Sequence, residues 1–523
     1  MKKKNYLIIA LTILLVLYFF AYPMTVFWDS GHYATYIPIL KRLVPFSEWD
    51  MVRGIVFPGL IYLSQILFGE TSMGILTLSF MFYIVMLISI YLMIEEVTKD
   101  KSDKFKKLTK IFVLLFVIID PLVYGYYHAL LTEFVAISIS CLMCYLSLKW
   151  MNIDFFQKKT KYIIYSIVFV AGTVFSWHLK QPYVTITLFP LIIATLLSII
   201  DKHNLKNIFQ RLITVFSCII ILVCSIKVWN GFLKYEGVNT KGDRNVVAGL
   251  GNQLLSGINN YDHYKYTETA DVSLLNEKEL KKLEENPTDY LIMTVNNLKG
   301  KMIDQELLYA KNGKASSISS LKYIFIQMFK HPILVLDSYK TTYLAIADFY
   351  PKTSYDGGAT YVVEKDFRIT YCHENCVIGH SYLNRTSSVF YMPETYYKNV
   401  ANYAQIKNGP IIMTAVLRVF SYANRFIYKG LMLILPLLLI AITVSYFKNK
   451  KYRKILAPAF IMIWYSFLHT MVHVVTFAYI DRYVSPIYLT TVFSLLLYIY
   501  YFYNKKIEQK KPIKKTKKKI SHK

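Results

Sequence analysis

Few acids lie in or beside the apolar runs of this chain: Asp29, Asp120, Glu133 and Asp481, with Glu48, Asp50 and Glu70 in one early loop. The basic residues that map to the same level are Arg53, His178, Lys180 and Arg482. A charge inside a membrane commonly costs about 2.5–3.5 kcal/mol on insertion scales, so each one asks for a reason. A partly shielded carboxylate can take the proton from a hydroxyl nucleophile. An arginine fork or a lysine point charge can receive an anionic group as it leaves. A layer of acids and bases on one side of an apolar bundle suits a reaction at a membrane surface. A transporter would more often place paired charges near the midplane, on broken helices within repeated halves, and the sequence carries neither.

The elements that must position these residues are long apolar segments. The chain has 523 residues, is 55% hydrophobic and only 18% charged, against about 25% charged in a typical soluble domain, and its mean hydropathy is +0.35. This excludes a disordered chain and an ordinary soluble enzyme. Runs of roughly 20 apolar residues can each cross a bilayer as a helix. They fall at about Tyr6–Ala21, Ser72–Ile94, Ile111–Tyr127, Ala129–Leu148, Tyr162–Trp177, Tyr183–Ile200, Leu212–Trp229, Ile427–Phe447, Ile455–Val475 and Tyr483–Tyr503. Basic loops alternate with loops poor in Lys and Arg. The positive-inside rule then predicts about ten spans, both termini cytoplasmic, and the layer of acids and bases at the outer face. Residues 23–71 must begin and end outside, so Gly54–Phe68 dips along or into the outer leaflet without crossing.

The formal net charge is +27, yet Gly231–Asn408 holds 20 Lys/Arg and 19 Asp/Glu and contributes only +1 of it. The excess therefore sits largely on loops assigned inside, which explains the high pI without nucleic acid as a partner. Lys514, Lys515, Lys517, Lys518 and Lys519 read as a topology anchor that also attracts anionic lipid. The expected organisation is a transmembrane module over 1–230, an extracytoplasmic segment over 231–408, C-terminal transmembrane helices over 409–503 and a basic tail over 504–523. Within the outer segment, Leu274–Glu285 has helical spacing and Leu321–Tyr350 reads as amphipathic helix interrupted near His331-Pro332. Tyr355–Tyr391, with Gly357-Gly358 and many β-branched residues, predicts a mixed α/β subdomain. Of the six cysteines, Cys141, Cys144, Cys218 and Cys224 lie in apolar runs as small hydrophobes. Cys372 and Cys376, beside His373, Glu374 and His380, have a loose ligand-like spacing, but outside a cell they read first as a local disulfide.

Each candidate has a bland counterpart. Asp29 suits the N-cap of a following helix. Glu133 can hydrogen-bond a neighbouring helix, Lys180 can snorkel to the interface, and Arg482 can pair with Asp481. His32, His178, His469 and His473 lack a readable third ligand and are expected as core or interface polar residues.

The order of the motifs adds to this reading. Asp29 follows a first helix; Arg53-Gly54-Ile55-Val56-Phe57-Pro58 comes next in the first outer loop. Leu131-Thr132-Glu133 stands at the outer start of a middle helix, preceded by Asp120-Pro121. Lys180 lies between the next two spans, and His331-Pro332 and Asp481-Arg482-Tyr483 follow. In this order the chain resembles the GT-C superfamily of membrane glycosyltransferases, such as protein O-mannosyltransferases and aminoarabinose transferases. The resemblance covers the first seven spans best. Many members carry paired acids in the first loop, whereas here Ser30 follows Asp29.

The resemblance implies an all-α multi-span fold and an inverting transfer of sugar from a polyprenyl-phosphate donor to a surface glycan, lipid or protein acceptor. It implies Asp29 as catalytic base, Arg53, Lys180 and Arg482 on the donor phosphate, and Glu133, with Asp120 second to it, orienting the sugar or a cation. A divalent cation is neither required nor excluded by these residues. Two other readings stay open: a non-catalytic carrier or flippase of lipid-linked sugars, and a surface-polysaccharide polymerase or ligase using a diphosphate donor.

Overall fold

The computed structural model describes residues 2–21, 28–49, 54–69, 71–99, 103–201, 205–238, 329, 332–347, 411–476 and 481–510. Among these residues all regular structure is helical: α1 (Lys2–Phe19), α2 (Trp28–Leu40), α3 (Val56–Phe68), α4 (Ser72–Thr98), α5 (Asp103–Ile119), α6 (Pro121–Tyr127), α7 (Glu133–Met151), α8 (Lys159–Leu179), α9 (Thr185–Ile200), α10 (Leu205–Tyr235), α11 (Pro332–Ala347), α12 (Ile411–Lys448), α13 (Arg453–Thr476) and α14 (Tyr488–Lys510). Short 3-10 turns lie at Phe46–Glu48, Gln181–Val184, Lys450–Tyr452 and Asp481–Ile487. The mixed α/β subdomain expected over Tyr355–Tyr391, the Cys372–Cys376 pair and Arg53 lie outside the described residues.

Among the described residues, eight helices are long and apolar enough to cross a membrane, or nine if α5 and α6 form one bent span. About ten were expected, and two local features account for the difference. The apolar part of α1 runs only from Ile9 to Phe19, and the stretch read as one span over Ile111–Tyr127 bends by 59° between α5 and α6. Asp120 stops α5 there: its carboxylate accepts from the backbone N–H of Leu122 and Val123, and Pro121 opens α6. Asp at the N-cap followed by Pro is a strong helix start. The span expected from Ala129 begins instead at Glu133. α3 is a short apolar helix, as its length suggested, and α11 starts at Pro332, where the sequence broke.

Most elements share one apolar core. α7 lies at its centre and is largely buried. α11 docks on α12, with the Tyr343 hydroxyl donating to the Met432 carbonyl at 2.5 Å. The turns with basic residues meet at one end of the bundle. There Glu96 pairs with Lys99 and Lys149, Glu95 with Lys110, and Arg453 with Asp201. Buried Arg211 donates to the carbonyls of Met151 and Ile153 at the end of α7. Cys141, Cys144 and Cys218 are buried free thiols, and Cys224 is an exposed one.

Candidate functional site

The opposite end of the bundle gathers the first turn of α7, the last turn of α8 and the chain that follows it. Glu133 opens α7, where a carboxylate complements the positive end of the helix dipole, and Lys180 closes α8, where a cation complements the negative end. Pro182 prevents α8 from continuing, so Lys180 is extended and the chain turns into α9. The Lys180 ammonium lies 3.9 Å from the Glu133 carboxylate; Glu133 is fully buried and the Lys180 side chain is 12% exposed. Thr132 donates to the other carboxylate oxygen at 3.3 Å.

Tyr183 adjoins the pair. Its ring centroid is 5.7 Å from the Lys180 ammonium and its hydroxyl lies next to the Glu133 carboxylate. Behind it stands His469, whose ring stacks towards Tyr183 and whose Nδ1 lies 2.5 Å from the Thr185 hydroxyl. His473 lies one turn further along α13, with its ring edge-on to His469 at 4.6 Å. Both histidines are fully buried. They were expected as core or interface polar residues, and they are core residues that continue the polar chain from the Glu133–Lys180 pair. The apolar neighbours of His469 and His473 in the sequence gave no sign that Thr185 and Tyr183, nearly 300 residues earlier, would meet them.

The first loop reaches the same place through its backbone. Asp29 is the second residue of α2, inside the helix rather than at its N-cap as expected, and the adjacent Ser30 donates to the Leu130 carbonyl at 2.6 Å. This fixes the start of α2 against the turn that leads into Glu133. Gly54 packs directly on the His178 carbonyl, two residues before Lys180, so closely that a Cβ has no room. The neighbours in sequence of Asp29 and Arg53 are thus anchored on the two segments that carry Glu133 and Lys180. Arg482 lies in the Asp481–Ile487 turn, whose Pro486 carbonyl accepts from Ser140 on α7 at 2.9 Å.

Asp120 belongs to a different cluster. Besides its two backbone N–H donors, it accepts from the Asn424 amide at 2.6 Å and the Tyr488 hydroxyl at 2.8 Å, and it is 2% exposed. Four donors occupy this carboxylate and join α6, α12 and α14. The bland reading of a membrane carboxylate, which the sequence suggested for Glu133, therefore describes Asp120, while Glu133 has a lysine partner. His128 makes a similar tie, with its two ring nitrogens 2.8 Å and 2.7 Å from the Tyr124 and Phe19 carbonyls. His178 contacts Ser225.

Among the described residues, no three His, Cys, Asp or Glu side chains converge as metal ligands. No family model, no curated protein and no solved structure matches this chain.

Proposed function

We propose that the chain is a membrane glycosyltransferase of the GT-C type. It moves a sugar from a polyprenyl phosphate to a hydroxyl on a surface glycan, lipid or protein at the extracytoplasmic face. The observation that carries this reading is the buried Glu133–Lys180 pair at the bundle end where the residues beside Asp29 and Arg53 are anchored. An apolar bundle suits a donor with a lipid tail, and a buried ion pair at its end suits the sugar phosphate.

Asp29 accepts the proton of the acceptor hydroxyl as its oxygen attacks the anomeric carbon. The bond from that carbon to the phosphate oxygen breaks on the opposite face, and the configuration inverts. The leaving polyprenyl phosphate gains one negative charge, and Lys180, Arg53 and Arg482 are the cations assigned to it. Preorganised cations in a water-poor site act strongly on charge that develops in the transition state. Glu133 holds the Lys180 ammonium in place at the bundle end. Tyr183 flanks the same pair.

The test compares a deletion strain, the same strain with the chain restored, and one with Asp29→Asn at equal expression. Lipid-linked sugars and surface glycans are measured by mass spectrometry. The expected result is accumulation of one polyprenyl-phosphate sugar, and loss of that sugar from a glycan, in the deletion and the variant. A general base contributes about 10²–10⁴-fold in rate. If Asp29→Asn restores everything the wild type does, Asp29 is not the base and a carrier function moves ahead.

A further inference from the structure

α2 and α10 end in the same backbone turn. After α2, the N–H groups of Arg42 and Leu43 donate to the carbonyls of Ile39 and Pro38; after α10, those of Gly237 and Val238 donate to Lys234 and Leu233. Each turn places one residue in the left-handed region, Arg42 at φ 59° and Gly237 at φ 79°. Glycine is the usual occupant of that position, because a Cβ there crowds the backbone. α10 follows the rule and α2 does not.

The Arg42 side chain supplies what glycine lacks, a two-pronged ion pair. Its two terminal nitrogens donate to the two carboxylate oxygens of Glu236, each at 3.1 Å, across 194 residues. Glu236 breaks a local rule as well, for it directly follows the last residue of α10, where the helix dipole favours a cation. Local rules broken together mark a strained or functional place. The guanidinium also lies 5.0 Å over the Phe46 ring. Phe46 and Trp49 belong to a small apolar cluster, distinct from the main core, in which they pack edge-on to Phe232 and Trp229 of α10.

These contacts make α2 a rod held at both ends. Its 13 residues span roughly 20 Å. Its start is fixed by Ser30 on the Leu130 carbonyl, and its end by Arg42 on Glu236. Trp229 stands edge-on to His178 at 6.1 Å, which ties this end of α10 to the turn that leads into Lys180. Asp29 lies at the first anchor, so the second sets the angle at which α2 carries it. We propose that Arg42 and Glu236 form a clasp that positions the first loop, and with it Asp29, for transfer. An exposed ion pair commonly adds little to stability, so the clasp acts on the placing of the loop rather than on folding. Its effect on rate rests on the transferase reading; its hold on the loop does not.

The test uses the full-length chain in detergent, with Cys224, Cys372 and Cys376 replaced by serine and a nitroxide on Leu43→Cys, an exposed position one residue beyond the clasp. The labelled chain is compared with its Arg42→Gly and Glu236→Ala variants. Arg42→Gly keeps the left-handed turn without a Cβ and removes the ion pair, so its melting temperature should stay close to that of the parent. The nitroxide should gain mobility in both variants. Transfer per folded molecule should fall in both, by up to about 100-fold, the scale of a misplacement of about 1 Å. A variant that was merely less stable would show no such fall once transfer is read per folded molecule. An equally immobile label in the variants overturns the clasp, and a freed label with unchanged transfer overturns its positioning role. If the parent chain transfers no sugar, the transferase reading fails, and the label alone then decides whether the clasp holds the loop.

Discussion

Replacing Lys180 by Met leaves Glu133 fully buried with its counter-charge removed. Two unit charges 3.9 Å apart attract by about 4 kcal/mol at an effective dielectric constant near 20. Removing one partner of a buried pair costs about 3–5 kcal/mol, whereas replacing both with uncharged groups is often neutral. Lys180→Met should therefore destabilise the chain by about 3 kcal/mol or more, as should Glu133→Gln. The double variant should return to within about 1 kcal/mol of wild type. The assay is thermal unfolding in one detergent, run as a double-mutant cycle, alongside sugar transfer at equal folded concentration. Transfer should stay at least about 100-fold down in the double variant, because a group that stabilises developing charge contributes about that much. If the double variant recovers both stability and transfer, the pair is structural and the assignment of Lys180 to the phosphate is wrong. If Lys180→Met unfolds like the wild type, the burial argument itself fails.

Asp120→Ala should cost at least about 2 kcal/mol, since a lost N-cap costs about 1 kcal/mol and Asn424 and Tyr488 lose their shared acceptor. Unfolding measurements should show this, with transfer per folded molecule unchanged. Gly54→Ala should force α3 away from α8 and reduce transfer, because the added carbon meets the His178 backbone, while Gly59→Ala, which meets nothing within 4 Å, should be neutral or stabilising. The Asn207 amide, helped by the backbone N–H groups of Gln157 and Phe156, holds the Asp154 carboxylate below its ordinary range. A lowered folded-state value means this contribution is present above the unfolded value of about 3.9 and is lost as pH falls through the folded value. Melting temperature should drop at the acid end in the wild type and less so in Asp154→Asn.

The all-helical bundle was legible because hydropathy reports burial in lipid or core, and α4, α8, α12 and α13 follow the apolar runs. The bend at Asp120 was written in the sequence as Asp before Pro, but a continuous apolar stretch hid it. Glu133 and Lys180 could be named as charges at one level, because alternation of basic loops fixes which ends of the spans lie together. Their pairing at 3.9 Å could not be read, since nothing in either local sequence encodes a contact across 47 residues. The separation of Asp120 from that pair was equally hidden, for its side-chain donors are 304 and 368 residues away.

Those separations also set a timetable. A ribosome adds roughly 5–20 residues per second, so Tyr488 emerges about 20–70 s after Asp120. During that interval the nascent chain carries a carboxylate at the mouth of α6 with only its own helix N–H groups as donors. The N-terminal helices can insert early, but the α5–α6 bend completes its hydrogen bonds only when α12 and α14 arrive. A translation arrest before residue 488 should therefore leave a membrane-inserted intermediate, recognisable by protease access at the bend and open to capture by insertion chaperones.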